Sequence, residues 1–182
     1  MKTSTHLQTV HRGSRFLAWF CLAAAIIWPL VSVGWVWTGS EAQLFSTFSV
    51  EPPVGAGVVL KAGQRLAVST LNVVPVLAAC IGLWALHRCF RLFSTGEFFS
   101  VRTIRWLRRF SGWTFCYTAL AVIFQPLTMV VLTSGFPDGQ HQALVSFGLE
   151  QFHTLLIAGT VWVISGAMTE ACRLADENAQ FV

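Results

Sequence analysis

The sequence predicts an all-α membrane protein: four transmembrane helices with both termini on the cytoplasmic side (N-in/C-in), a cytoplasmic amphipathic hinge helix and a small extracytoplasmic β-hairpin cap. Three observations lead there. Apolar residues make up 54% of the 182 and charged residues 11%, against about 25% charged in soluble domains. Four runs lack Asp, Glu, Lys and Arg, namely Phe16 to Ser40, Leu66 to His87, Phe110 to Pro137 and Gln151 to Thr169; about 20 apolar residues cross a hydrocarbon layer of about 30 Å. Arg88 and Arg91 close the second run and Arg102, Arg105, Arg108 and Arg109 open the third, and such short basic loops stay on the cytoplasmic side.

The whole chain, 1–182, reads as one four-helix membrane domain. Its helices are expected at about 16–37, 66–86, 110–134 and 151–169, with outer loops 38–65 and 135–150, a cytoplasmic hinge 87–109 and a cytoplasmic tail 170–182. Lys2, Arg12, Arg15, the six hinge arginines and Arg173 then lie inside, and only Lys61 and Arg65 outside.

The first apolar run is 25 residues long, too long for the core of a secretory signal, and no small-residue cleavage pattern follows it. It is a spanning helix, with Trp19 near its inner end, Trp35 and Trp37 at its outer end in the position of an aromatic belt, and Pro29 near its middle. In the loop that follows, Leu44 to Val50 and Val58 to Ala62 have strand-like composition and flank EPPVGAG, whose Pro and Gly form turns. A small hairpin is expected there, with an irregular loop as the alternative.

The second helix carries Asn72 and Pro75, then Ala78 and Gly82 in a small-x-x-x-small pair that lets helix backbones approach closely. Ser100 is placed to cap a helix over VRTIRWLRRF. Val101, Ile104, Leu107 and Phe110 share one side of it and Arg102, Arg105 and Arg109 the other, the pattern of a helix along a membrane surface. These arginines meet anionic lipid headgroups before any nucleic acid, so direct nucleic-acid binding is not expected.

The third run would extend about 42 Å, so its first turn belongs to the interface. Thr114, Tyr117, Thr118, Gln125 and Thr128 make it the most polar span, which should face the bundle interior. Pro137-Asp138-Gly139 reads as a turn, and Ala143 to Phe147 as a short outer strand. Glu150 and His153 share a helical face near His141, but two ligands make a poor metal site when structural zinc takes four. The fourth helix carries Gly159, Ser165, Gly166 and Ala167 as packing residues. Beyond Thr169 it should continue through EACRLADEN, with Glu170 and Glu177 spaced to pair with Arg173.

No phosphate loop, HExxH, GxSxG or Cys-x-x-Cys pattern occurs, and no carboxylate pair lies within a span. Catalytic, cofactor and metal sites are therefore not expected. Cys21, Cys80, Cys89, Cys116 and Cys172 all fall in the cytoplasmic half and are expected to be reduced.

Two blocks, FRLFSTGEFFSVRTIRWLRRFSGW and VWVISGAMTEACRLADENAQFV, resemble those of a bacterial membrane family, domain of unknown function 2975. The likeness rests on Leu92, Phe93, Gly96, Phe99 and Ser100 and on Glu170, Glu177, Asn178 and Val182. It implies four spanning helices in the bacterial inner membrane and no known activity. Some members look to be encoded beside small helix-turn-helix regulators, which suggests signalling.

The leading expectation is a non-enzymatic inner-membrane protein, an accessory subunit or a membrane anchor or sensor, acting through a protein partner or as a homo-oligomer. A small channel or transporter using the intramembrane polar residues Asn72, Tyr117 and Gln125 is the second reading, and an intramembrane metal-binding protein or enzyme the third. On the cytosolic face, Glu170, Asp176 and Glu177 of the tail are expected to dock on Arg102, Arg105 or Arg109 as a clamp for a partner.

Overall fold

The computed structural model describes residues 3–51, 59–97, 100–136, 145 and 147–179, with side chains described between His11 and Asn178. Five helices follow in order: α1 (Thr3–Thr38), α2 (Glu41–Thr47), α3 (Ala62–Phe93), α4 (Val101–Thr133) and α5 (Leu149–Ala179). Four of them, α1, α3, α4 and α5, are long and apolar enough to cross a membrane, which makes this a multi-pass membrane protein by length and composition. With 31 to 36 residues each, they extend about 46 to 54 Å. The helices run on past the apolar runs mainly at one end of the bundle, where α1 begins at Thr3, α3 ends at Phe93, α4 begins at Val101 and α5 ends at Ala179, which is why they are longer than expected.

Packing is serial: α1 lies on α3, α3 on α4 and α4 on α5. Polar contacts fix each register. His87 Nδ1 donates to the Ala18 carbonyl at 2.8 Å, and Asn72 Nδ2 to Ser32 Oγ at 2.9 Å, joining α1 and α3. Ser111, fully buried, donates to the Ala158 carbonyl at 2.7 Å between α4 and α5. Gly82 does what its spacing predicts, since a Cβ there would stand 3.4 Å from Trp113 Cβ on α4. On α5 the packing residues are Ala158 and Ser165, both fully buried, while Gly159 and Gly166 face open space and Ala167 is exposed.

The cap is helical, not a hairpin. Ser40 and Gln43 form a capping box, with the Gln43 N–H donating to Ser40 Oγ and the Ser40 N–H to Gln43 Oε1, and this local signal overrides the strand-like composition that follows. The helix ends where Ser49 turns left-handed at φ 54° and the Val50 N–H reaches back to the Phe45 carbonyl at 2.8 Å. Leu44 and Phe45 are buried against Val36, Val68, Met129, Leu132 and Phe136. This apolar core sits at the end of the bundle carrying the α1–α3 and α4–α5 connections, the loop end. The turn PDG, His141 and most of EPPVGAG and Ala143 to Phe147 lie outside the described residues; Val145 and Phe147 are not in a strand.

At the opposite or hinge end, α3 stops at Phe93 through a left-handed Gly96 at φ 87°, across which the Glu97 N–H donates to the Leu92 carbonyl at 3.1 Å. That geometry explains an L-F-x-x-G motif: Leu92 and Phe93 supply the last carbonyls, and only glycine adopts the turn without strain. Ser100 caps α4 as expected, accepting from the Thr103 N–H at 3.2 Å. There is no separate surface helix; VRTIRWLRRF is the start of one uninterrupted 33-residue helix. Its buried side begins with Thr103 and Ile104, and Val101 is exposed, because Thr103 Oγ1 also donates to the Glu97 carbonyl at 2.7 Å and draws that face inward.

Candidate functional site: a polar cavity at the loop end

Serial packing leaves α1 and α5 as the two outer edges, and between them the loop-end half of the bundle holds a cavity of about 450 Å³. Its lining includes Asn72 of α3 and Tyr117 and Gln125 of α4. All three intramembrane polar residues marked by the sequence therefore converge on one space. Ser32 arrives from α1 and Glu150 and Gln151 from α5, positions that no spacing within a single helix connects. The Tyr117 hydroxyl has no hydrogen bond to another described residue, whereas Thr118 and Thr128 return theirs to the Thr114 and Phe124 carbonyls of α4 at 3.0 Å. The cavity thus presents the Tyr117 phenol and the Glu150 carboxylate beside the amides of Asn72, Gln125 and Gln151, of which Asn72 holds Ser32 and Gln151 accepts from the Gly148 N–H at 2.9 Å.

The lining ends at Val76 on α3 and Tyr117 on α4. From there toward the hinge end Gly82 closes on Trp113 and Ser111 on Ala158, so no polar path continues through the described residues. Pro75 lines the cavity and Pro126 follows Gln125; each removes one backbone N–H from its helix ladder. Glu150 faces the cavity, but His153 is exposed beside Phe152. Among the described residues no three His, Cys, Asp or Glu side chains gather as a metal site.

The chain matches a family model described as protein of unknown function (DUF2975) over residues 54–182. It belongs to that family. The DUF2975 match takes in all of α3, α4 and α5, while α1 and α2 precede it, so Ser32 enters the cavity from outside the matched segment. No curated protein and no solved structure matches the chain.

The hinge end of this DUF2975 chain is arranged differently from the expected clamp. Arg173 pairs within α5, with Glu170 and with Glu177 at 3.2 Å, as the spacing predicts. The contacts of Ser111 with Ala158 and of Arg108 with the Trp162 ring set an antiparallel register. It puts Glu177 about 18 Å along the axis from the level of Arg105. Asp176 projects past the start of α4, and Arg102 and Arg105 are exposed without an ion pair to a described residue. Arg109 lies 4.8 Å over the Trp106 ring and Arg88 5.0 Å over Trp84. This Arg–Trp layer was missed at the sequence level, although W-x-x-R and W-x-x-x-R are helical neighbour spacings.

Proposed function

We propose that the protein is a non-enzymatic sensor or anchor of the bacterial inner membrane, which takes a small polar molecule into the loop-end cavity and acts through a protein partner on the cytoplasmic side. The convergence of Asn72, Tyr117 and Gln125 on a cavity that ends within the bundle carries the reading. A blind polar pocket suits binding, since polar groups in a span mark ligand paths or sites, and closure at Gly82 and Ser111 argues against a conduit. The excess of arginines at the hinge end supports N-in/C-in insertion, so the cavity opens away from the cytoplasm. Native mass spectrometry of the detergent-extracted complex tests this. A stoichiometric second protein whose retention changes with Tyr117→Phe or Asn72→Leu supports it; a protein without partners in wild-type and variants alike overturns it.

A small transporter is the second reading. It is favoured by Pro29 and Pro75, which the Ser32–Asn72 and Ala18–His87 contacts place level with one another beside the cavity, because each continuous helix lacks one ladder hydrogen bond there and can bend at that level. Solute flux in proteoliposomes that disappears on Gln125→Leu would select it.

A further inference from the structure

A second cavity, about 590 Å³, lies between α1 and α3 at the hinge end, far from the loop-end pocket, and is lined by Arg15, Trp19, His87, Arg91, Ser94 and Thr95. Its volume is within the range of about 300 to 1,000 Å³ usual for ligand sites. Two guanidiniums enter it from two different helices. Among the described residues neither forms an ion pair: Arg65 takes Glu41, and Arg173 takes Glu170 and Glu177. His87 is held by Nδ1 on the Ala18 carbonyl, which leaves Nε2 as the ring atom available to the cavity. The hydroxyls of Ser94 and Thr95 are committed to the Arg91 and Leu92 carbonyls at 2.7 and 2.8 Å, so the guanidiniums are its strong donors. The end of α3 contributes a partial negative charge of about half an electron, which two full positive charges outweigh.

We propose that this cavity is a binding site for a phosphate-ester anion. Guanidiniums match phosphate oxygens with paired N–H donors, and basic pockets between membrane helices hold acidic headgroups. Trp19, 68% exposed, and Leu22 form an apolar wall on the membrane side, which suits the acyl end of a phospholipid. A soluble phosphomonoester would use the same donors without that wall.

Two probes separate the sources. Phosphatidylglycerol retained by full-length protein from mixed nanodiscs is counted by native mass spectrometry, and glycerol 1-phosphate is titrated calorimetrically in zwitterionic detergent. The double variant Arg15→Gln/Arg91→Gln is compared with Lys61→Gln/Arg173→Gln, which removes equal charge away from the cavity. Loss of a charge-assisted contact should weaken binding about tenfold or more in the first variant and by less than about twofold in the second. A difference with the lipid alone identifies a headgroup site, and one with the soluble ester a phosphomonoester site. Equal loss in both doubles, or none in either, overturns the proposal. Should the cavity double fail to fold, the single variants Arg15→Gln and Arg91→Gln decide on the same comparison.

Discussion

Arg65 Nη2 meets Glu41 Oε1 at 2.9 Å, while Nη1 of the same guanidinium donates to the Val36, Trp37 and Gly39 carbonyls at 2.8, 3.2 and 3.3 Å. One side chain on α3 thereby closes the carbonyl end of α1 and ties down α2. Its neighbour Gln64 does the same for α4, donating to the Val131 carbonyl at 3.3 Å and Ser134 Oγ at 3.0 Å. Helix ends leave four carbonyls without partners and carry negative potential, so a cation there is favourable. Removing it by Arg65→Ala should cost about 1.5 to 3 kcal/mol, read as a lower Tm in detergent; an unchanged Tm would show that water replaces it fully.

Acid should loosen the same cap. Glu41's own backbone N–H and then the Arg65 guanidinium hold its carboxyl below the usual value of 4.5. A carboxyl with a lowered folded-state pKa gives stability that is present above its unfolded value and is lost as pH falls through the folded one. Tm should therefore decline below about pH 4.5, and Glu41→Gln should flatten that limb. An identical acid limb in the variant would detach Glu41 from the effect.

What holds α2 in place can be decided by comparing a core deletion with a cap deletion. Leu44 is fully buried in the cluster that joins α1, α3 and α4, so Leu44→Ala should cost about 2 to 5 kcal/mol. Ser40→Ala, which removes half of the capping box, should cost about 1 kcal/mol. If Ser40→Ala were neutral in thermal unfolding while Leu44→Ala was not, the cluster rather than the box would define α2.

Topology and cavity are tested together by cysteine labelling in a background without the native cysteines. A membrane-impermeant maleimide added from outside should label Lys61→Cys and, through the cavity, Ala121→Cys, which lines it. Glu97→Cys at the hinge should react only after permeabilisation. Labelling of Glu97→Cys from outside would invert the orientation, and a silent Ala121→Cys would close the cavity to water.

Charge reversal at Glu177 and Arg105 should give independent effects, because the α4–α5 register separates them by about 18 Å along the helix axis. Arg173→Ala should instead loosen the last turns of α5, seen as faster amide exchange at residues 170–178, since it releases both Glu170 and Glu177. Compensation between Arg105 and Glu177 in the double reversal would restore the clamp and refute the register.

The sequence by itself determined the class, the four spans, the basic hinge, the Ser100 cap, the close approach at Gly82 and the Arg173 pairs. These are properties of composition or of neighbours three to four residues apart, where the helix alone decides who meets whom. The capping box at Ser40 was equally local, and strand-like composition obscured it. Tertiary structure decided what depends on residues far apart in the chain. In lipid an apolar helix face meets acyl chains as readily as another helix, so hydrophobic pattern cannot say that α1 and α5 stay at the edges. That separation opens the cavity that collects Asn72, Tyr117 and Gln125. The same holds for Arg65 reaching the end of α1, and for Arg15 and Arg91 sharing a cavity. Their registers rest on a few polar contacts such as Ser32 with Asn72 and Ala18 with His87, each made between helices and invisible in either one alone.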